Sequence, residues 1–123
     1  MTGVARQFML LAIAFLLAGV VIGLHMAISQ DHTLTPAHAH VMLAGWVSSA
    51  IFALFYQVQP AAAASIWARV HFILGSISAV VMTGSLVLLL TGHAGAEPGA
   101  AVGSMGFGLS VLIFARNVLV ARA

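Results

Sequence analysis

SIWARVHFILGSISAVVMTGSLVLLLTGH, residues 65–93, decides the fold. After Arg69 it carries no Asp, Glu, Lys or Arg, and the next charged residue along the chain is Glu97. A helix needs about 20 largely apolar residues to cross about 30 Å of hydrocarbon. Residues 65–91 exceed that length, so the stretch reads as a membrane-spanning helix from Ser65 to Thr91. Three further apolar stretches match it, at about Gln7 to Ile28, Ala37 to Val58 and Gly99 to Val120. The first is long enough to span and is followed by no A-x-A-like cleavage site, so it is expected to stay as a helix rather than leave as a signal peptide.

The breaks between these stretches have physical causes. SQDHTLTP (29–36) is polar and ends in Pro36, which suits a first helical turn. QPAAAAS (59–65) contains Pro60 and offers Ser65 as an N-cap. GHAGAEPG (92–99) combines three glycines with Pro98, a stop followed by a start. Links this short make neighbouring helices antiparallel. The expected architecture is therefore all-α, an integral membrane four-helix bundle of up-down topology forming a single domain.

Composition agrees. Of 123 residues, 63% are hydrophobic and 5% charged, whereas a soluble domain carries about a quarter charged residues. The lipid bilayer is the expected partner of this surface. The basic balance rests on Arg6, Arg69, Arg116 and Arg122 against Asp31 and Glu97. No two of the arginines are adjacent, so nucleic acid is not an expected partner. With four alternating spans all four arginines fall at one membrane face and both acids at the other. The positive-inside rule then puts both termini and the 59–65 link in the cytoplasm. Tyr56 and Trp67 are expected to anchor the interface. In the last span Gly99, Gly103, Ser104, Gly106 and Gly108 form a small-residue pattern that suits either packing within the bundle or a subunit contact. The chain has no cysteine, which excludes disulfides, thiolate metal sites and Cys-attached heme. It has no Asp, Glu or Lys inside a span, no HExxH and no Ser/His/Asp set in register, which argues against proton-coupled transport and hydrolysis.

The concentrated chemistry is six histidines: His25, His32, His38, His40, His71 and His93. Five belong to one face of the membrane, and His71 alone to the other. Imidazole is a common ligand for heme iron, zinc and copper. A bis-His heme needs one imidazole from each of two facing helices at matched depth, and His25, His38, His40 and His93 supply candidates from the first three spans. At about 100° per residue, His71 and His93 fall within about 40° of each other, with Gly75, Ser78, Met82 and Ser85 between them. They lie about 33 Å apart along the axis, so His71 would serve a second site. His38 and His40 point about 200° apart on a regular helix, and phase does not choose between them. His38 shares its face with Met42, Gly45, Ser49 and Tyr56.

PAHAHVMLAGWVSSAIFALFYQVQP (36–60) resembles short membrane proteins related to subunit I of the heme–copper oxidases, in its His-Ala-His start, the Gly45-Trp46 pair and the Phe55-Tyr56 end. ARVHFILGSISAVVMTGSLVLLLTGH (68–93) resembles the next helix of that group, and the two segments cover about half the chain. The resemblance implies a bacterial inner membrane and heme b held by histidines, with ligand roles for His38 or His40, His71 and His93. Four helices and no His-His pair leave no room for an oxidase's copper site, so a complete oxidase is not expected. Electron transfer, or heme or gas sensing, is the expected role, with one or two hemes per chain, an unidentified redox partner and a homo-oligomer that covers the heme. Two rivals stay open: copper or zinc held by the outer histidines, and an accessory subunit with no cofactor.

Overall fold

The computed structural model describes residues 1–121. Arg122, one of the four arginines used to orient the chain, lies outside the described residues. Four helical spans follow one another: Gly3–Ser29, Thr35–Val58, Ile66–Leu90, and Ala94–Val120, the last beginning as a single 3-10 turn. The described residues contain no strand. All four spans are long and apolar enough to cross a membrane, with mean hydropathy between 1.6 and 2.5 in their most apolar windows. The protein is a multi-pass membrane bundle of the expected all-α class.

The helices form two antiparallel hairpins, the first span with the second and the third with the fourth, and contacts between hairpins are sparser. Glycines set the register of both. On the first span Gly19 receives Met42 and Gly23 receives the ring of His38, while Phe15 lies over Gly45 of the second span. On the fourth span Gly99, Gly103 and Gly106 receive Ser85, Met82 and Ser78 of the third, and Gly75 faces Ser110. Without an interhelical hydrophobic drive in lipid, such close backbone approach supplies much of the packing energy. Gly99, Gly103 and Gly106 of the fourth span are thus used inside the chain, whereas Gly108 meets nothing and Ser104 is exposed.

The second span is not a regular helix. Thr35–His40 is α-helical with Pro36 in its first turn, Val41–Val47 is π-helical, and Ser48–Val58 is α-helical again. The wider turn coincides with the Gly45 contact that seats Phe15, and the Ser48 hydroxyl donates to Leu43 O at 2.9 Å. Ser65 caps the third span as expected, accepting from Ala68 N at 3.2 Å.

Two expectations need correction. The 71–93 stripe holds only as far as the helix does. Gly92 adopts φ 98°, and the amides of Gly92 and His93 donate back to Leu89 and Leu88 carbonyls. This Schellman turn carries His93 off the helix into an exposed position. Tyr56 is no interface anchor: its ring is buried and its hydroxyl bonded inside the bundle, leaving Trp67 as the exposed aromatic.

The core has two parts. Val4, Ala5, Phe8, Phe52, Ala53, Tyr56 and Ala68 pack at the end bearing the N-terminus and the 59–65 link, and Phe15, Val41 and Ala79 pack further along. Outside them large apolar side chains such as Leu17, Val21, Leu54, Ile73 and Leu112 are exposed all round, which suits lipid and not water.

Candidate functional site

The histidines and the charged side chains lie toward the two ends of the bundle. At the arginine end, His71 sits less than two turns into the third span and is fully buried. Its ring is enclosed by Phe52, Phe8 and Phe114, with centroids at 4.6, 4.8 and 5.4 Å. His71 Nδ1 and the Tyr56 hydroxyl are 2.9 Å apart. Asn117 Nδ2 donates to the Tyr56 oxygen at 2.8 Å, and Arg116 Nη1 donates to Asn117 Oδ1 at 3.3 Å, which sets the amide's orientation. Two hydrogen placements satisfy the His71–Tyr56 contact. In one, Tyr56 donates to Nδ1 and the imidazole hydrogen is on Nε2. In the other, Nδ1–H donates to Tyr56 and Nε2 is a bare lone pair. His71 Nε2 is buried with no partner in either. Leaving such a group unpaired costs on the order of 1–3 kcal/mol.

The other end holds the remaining histidines. His38 lies half-buried on the face toward the first span, where a Cβ on Gly23 would come within 3.2 Å of its Cε1. Its Nδ1 is buried and unpartnered. His40 is on the opposite side and exposed, with Nδ1 2.8 Å from Pro36 O. His93 makes the equivalent contact to Leu88 O at 3.2 Å, and His32 to Gln30 O at 3.2 Å. A carbonyl can only accept, so Nδ1 carries the hydrogen in each, and in the neutral ring Nε2 has the lone pair. His25 is exposed two residues beyond Gly23. Among the described residues no three His, Cys, Asp or Glu side chains are grouped closely enough to hold a metal ion.

The loop between the first two spans is held by its own side chains. Thr33 donates from both hydroxyl and amide to Asp31 Oδ1, holding that carboxyl below the usual range. Thr35 Oγ1 donates to His32 O at 2.8 Å.

Two interior residues escaped the sequence reading. Asn117 is the chain's single asparagine, and an amide within an apolar span was itself a signal. Tyr56 gave none, since a tyrosine near a span's end fits an interface belt equally well. No family model matches the chain, and no curated protein or solved structure matches it.

Proposed function

We propose that the protein is a membrane-bound heme b carrier of the kind its second-span motif resembles, serving electron transfer or the sensing of heme or a gas. The observation that carries the reading is His40. A heme-ligating histidine donates its other ring N–H to a carbonyl or carboxylate, which fixes the tautomer and raises the basicity of the ligating nitrogen. His40 has that arrangement through Pro36 O, with Nε2 left as a lone pair on an exposed ring. Heme bound here lies against the outside of the bundle. A second histidine would complete the site, His25 or His93 of the same chain or one from a second copy that would also cover the porphyrin, because His38 of the same chain faces the other way. When bound, the iron supplies one-electron chemistry or an open coordination position.

His71 is the candidate for a second heme. Its Nε2 is a lone pair if Nδ1–H donates to Tyr56, the same ligand-plus-acceptor arrangement as at His40. The surrounding aromatic rings fill the space beside it, so a porphyrin there requires that wall to open. Arg6, Arg69 and Arg116 at one end, with Asp31 and Glu97 at the other, support a bacterial inner-membrane orientation with cytoplasmic termini. The unpartnered His38 Nδ1 specifically favours a second reading, copper or zinc taken by outer histidines from two copies.

An absorption spectrum of the purified protein, oxidised and dithionite-reduced, tests the proposal. A Soret band with sharp reduced α-bands, lost in His40→Ala, is expected. A full heme complement in His40→Ala refutes the assignment to His40. A colourless protein that retains copper or zinc favours the second reading.

A further inference from the structure

A cleft at the arginine end lies beside the His71 network and borders it at Arg116 and Asn117. It has a volume of about 310 Å³ and lies between the 59–65 link, the start of the third span and the end of the fourth. Its polar walls are Gln59, Ser65, Arg116 and Asn117, with Trp67 beside them. The Arg116 guanidinium stands 4.5 Å from the centroid of the Trp67 ring. Stacking of this kind holds the planar group in place and leaves its in-plane N–H edges free. One of those hydrogens goes to Asn117 Oδ1 and the others have no protein acceptor among the described residues. No acidic side chain lies at this end, since Asp31 and Glu97 are both at the other.

Other donors point the same way. Ser65, in the wall, starts the third span and caps only the Ala68 amide, leaving the first amides of that helix free. A forked cation beside free helix-terminal amides is a donor set that recognises a phosphate oxygen cluster. The cleft is bordered by Val120, which is well exposed on the apolar surface of the fourth span.

We infer that this cleft binds a phosphate group through Arg116, either the headgroup phosphate of an anionic lipid or free phosphate. The site is independent of heme. It is also more than the general positive charge of this face, and the molecule contains a control for that distinction. A second cleft at the same end holds Arg69 with Gln7, but no tryptophan and no asparagine.

The test uses the full chain in non-ionic detergent with W46F, so that Trp67 is the sole tryptophan of the original two. Its emission is titrated with short-chain phosphatidylglycerol, with the matching diacylglycerol, and with inorganic phosphate. Phosphatidylglycerol should give a saturable change and diacylglycerol none. R116Q should weaken binding at least about tenfold, the loss expected for a hydrogen bond to a charged group. R69Q should stay within about threefold of the parent, as expected for a screened surface charge. A saturable response to inorganic phosphate as well assigns the site to soluble phosphate, and its absence assigns it to the lipid headgroup. Equal responses to diacylglycerol and phosphatidylglycerol overturn the proposal, as does parental binding by R116Q or equal weakening in R69Q and R116Q. If R116Q loses the parental far-UV circular dichroism, R116K replaces it. Lysine keeps the charge without the planar fork, so it should bind at least about threefold more weakly, and equal binding overturns the proposal.

Discussion

The Tyr56 hydroxyl is the hinge of the buried network, because it contacts both His71 and Asn117. Tyr56→Phe keeps the ring and its packing but strands an imidazole nitrogen and an amide N–H in an apolar interior. The expected loss is about 1–2 kcal/mol, toward the upper part of the range for hydrogen bonds within membrane bundles. Equilibrium unfolding in mixed detergent measures it, and a loss under a few tenths would show that the pair carries no strain when broken. Asp31 offers a pH test outside the membrane. Its pKa is lowered by the side-chain and then the backbone hydrogen bond from Thr33. With the folded value depressed, the carboxylate's hold on the loop is present above the ordinary carboxylate range and fades as pH falls through the lowered value. Thr33→Val should move the Asp31 titration upward, followed by the NMR shift of its carboxyl carbon. At this scale the sequence showed that His71 was unusual, an imidazole within a span, but not what it touched. Its partner Tyr56 is 15 residues away, Tyr56 in turn is held by Asn117 on the fourth span, and no local pattern links them.

Helix pairing depends on which glycines face a neighbour, and two of them separate that effect from helix propensity. A Cβ on Gly103 would lie 2.5 Å from Met82 N, against backbone that cannot rotate away. A Cβ on Gly108 would meet nothing within 4 Å. Gly103→Ala should therefore cost about 1–3 kcal/mol by overpacking, whereas Gly108→Ala should be neutral or stabilise the span by up to about 1 kcal/mol. Unfolding of the two variants side by side measures the contrast, and similar effects would mean that the third and fourth spans do not pack as described. The existence of every span was legible from hydropathy, and the breaks from proline, glycine and the Ser65 cap. The start of the first span was less so. The first span begins at Gly3 rather than near Gln7, because an arginine such as Arg6 can extend its charge to the membrane surface from within a helix. The π-helical stretch was not legible, since it arises where Phe15 of another span meets Gly45.

Across the whole molecule, antiparallel pairing places the N-terminus and the 59–65 link at one end and the other two links at the opposite end. The natural absence of cysteine makes this directly measurable. Single cysteines at Thr2 and Ala62 should react with a membrane-impermeant maleimide only after cells are opened, and cysteines at Thr33 and Gly95 in intact cells. The reverse pattern would invert the proposed orientation, and labelling of Thr2 and Ala62 from different sides would break the four-span topology itself. The division of the histidines between the ends was legible once the spans were counted, because it depends only on position along the chain. The choice between His38 and His40 was not, because it turns on contacts: His38 rests on Gly23, while His40 faces outward with its Nδ1 on Pro36 O.

That outward imidazole is the basis of the proposed function, and heme content tests it most directly. Protein purified from heme-replete cells should yield, by pyridine hemochromogen assay, b-type heme at one per chain, or one per two chains if a pair of copies shares it. His40→Ala should lose that heme while keeping its helical circular dichroism. Wild-type protein with no heme above background would contradict the account.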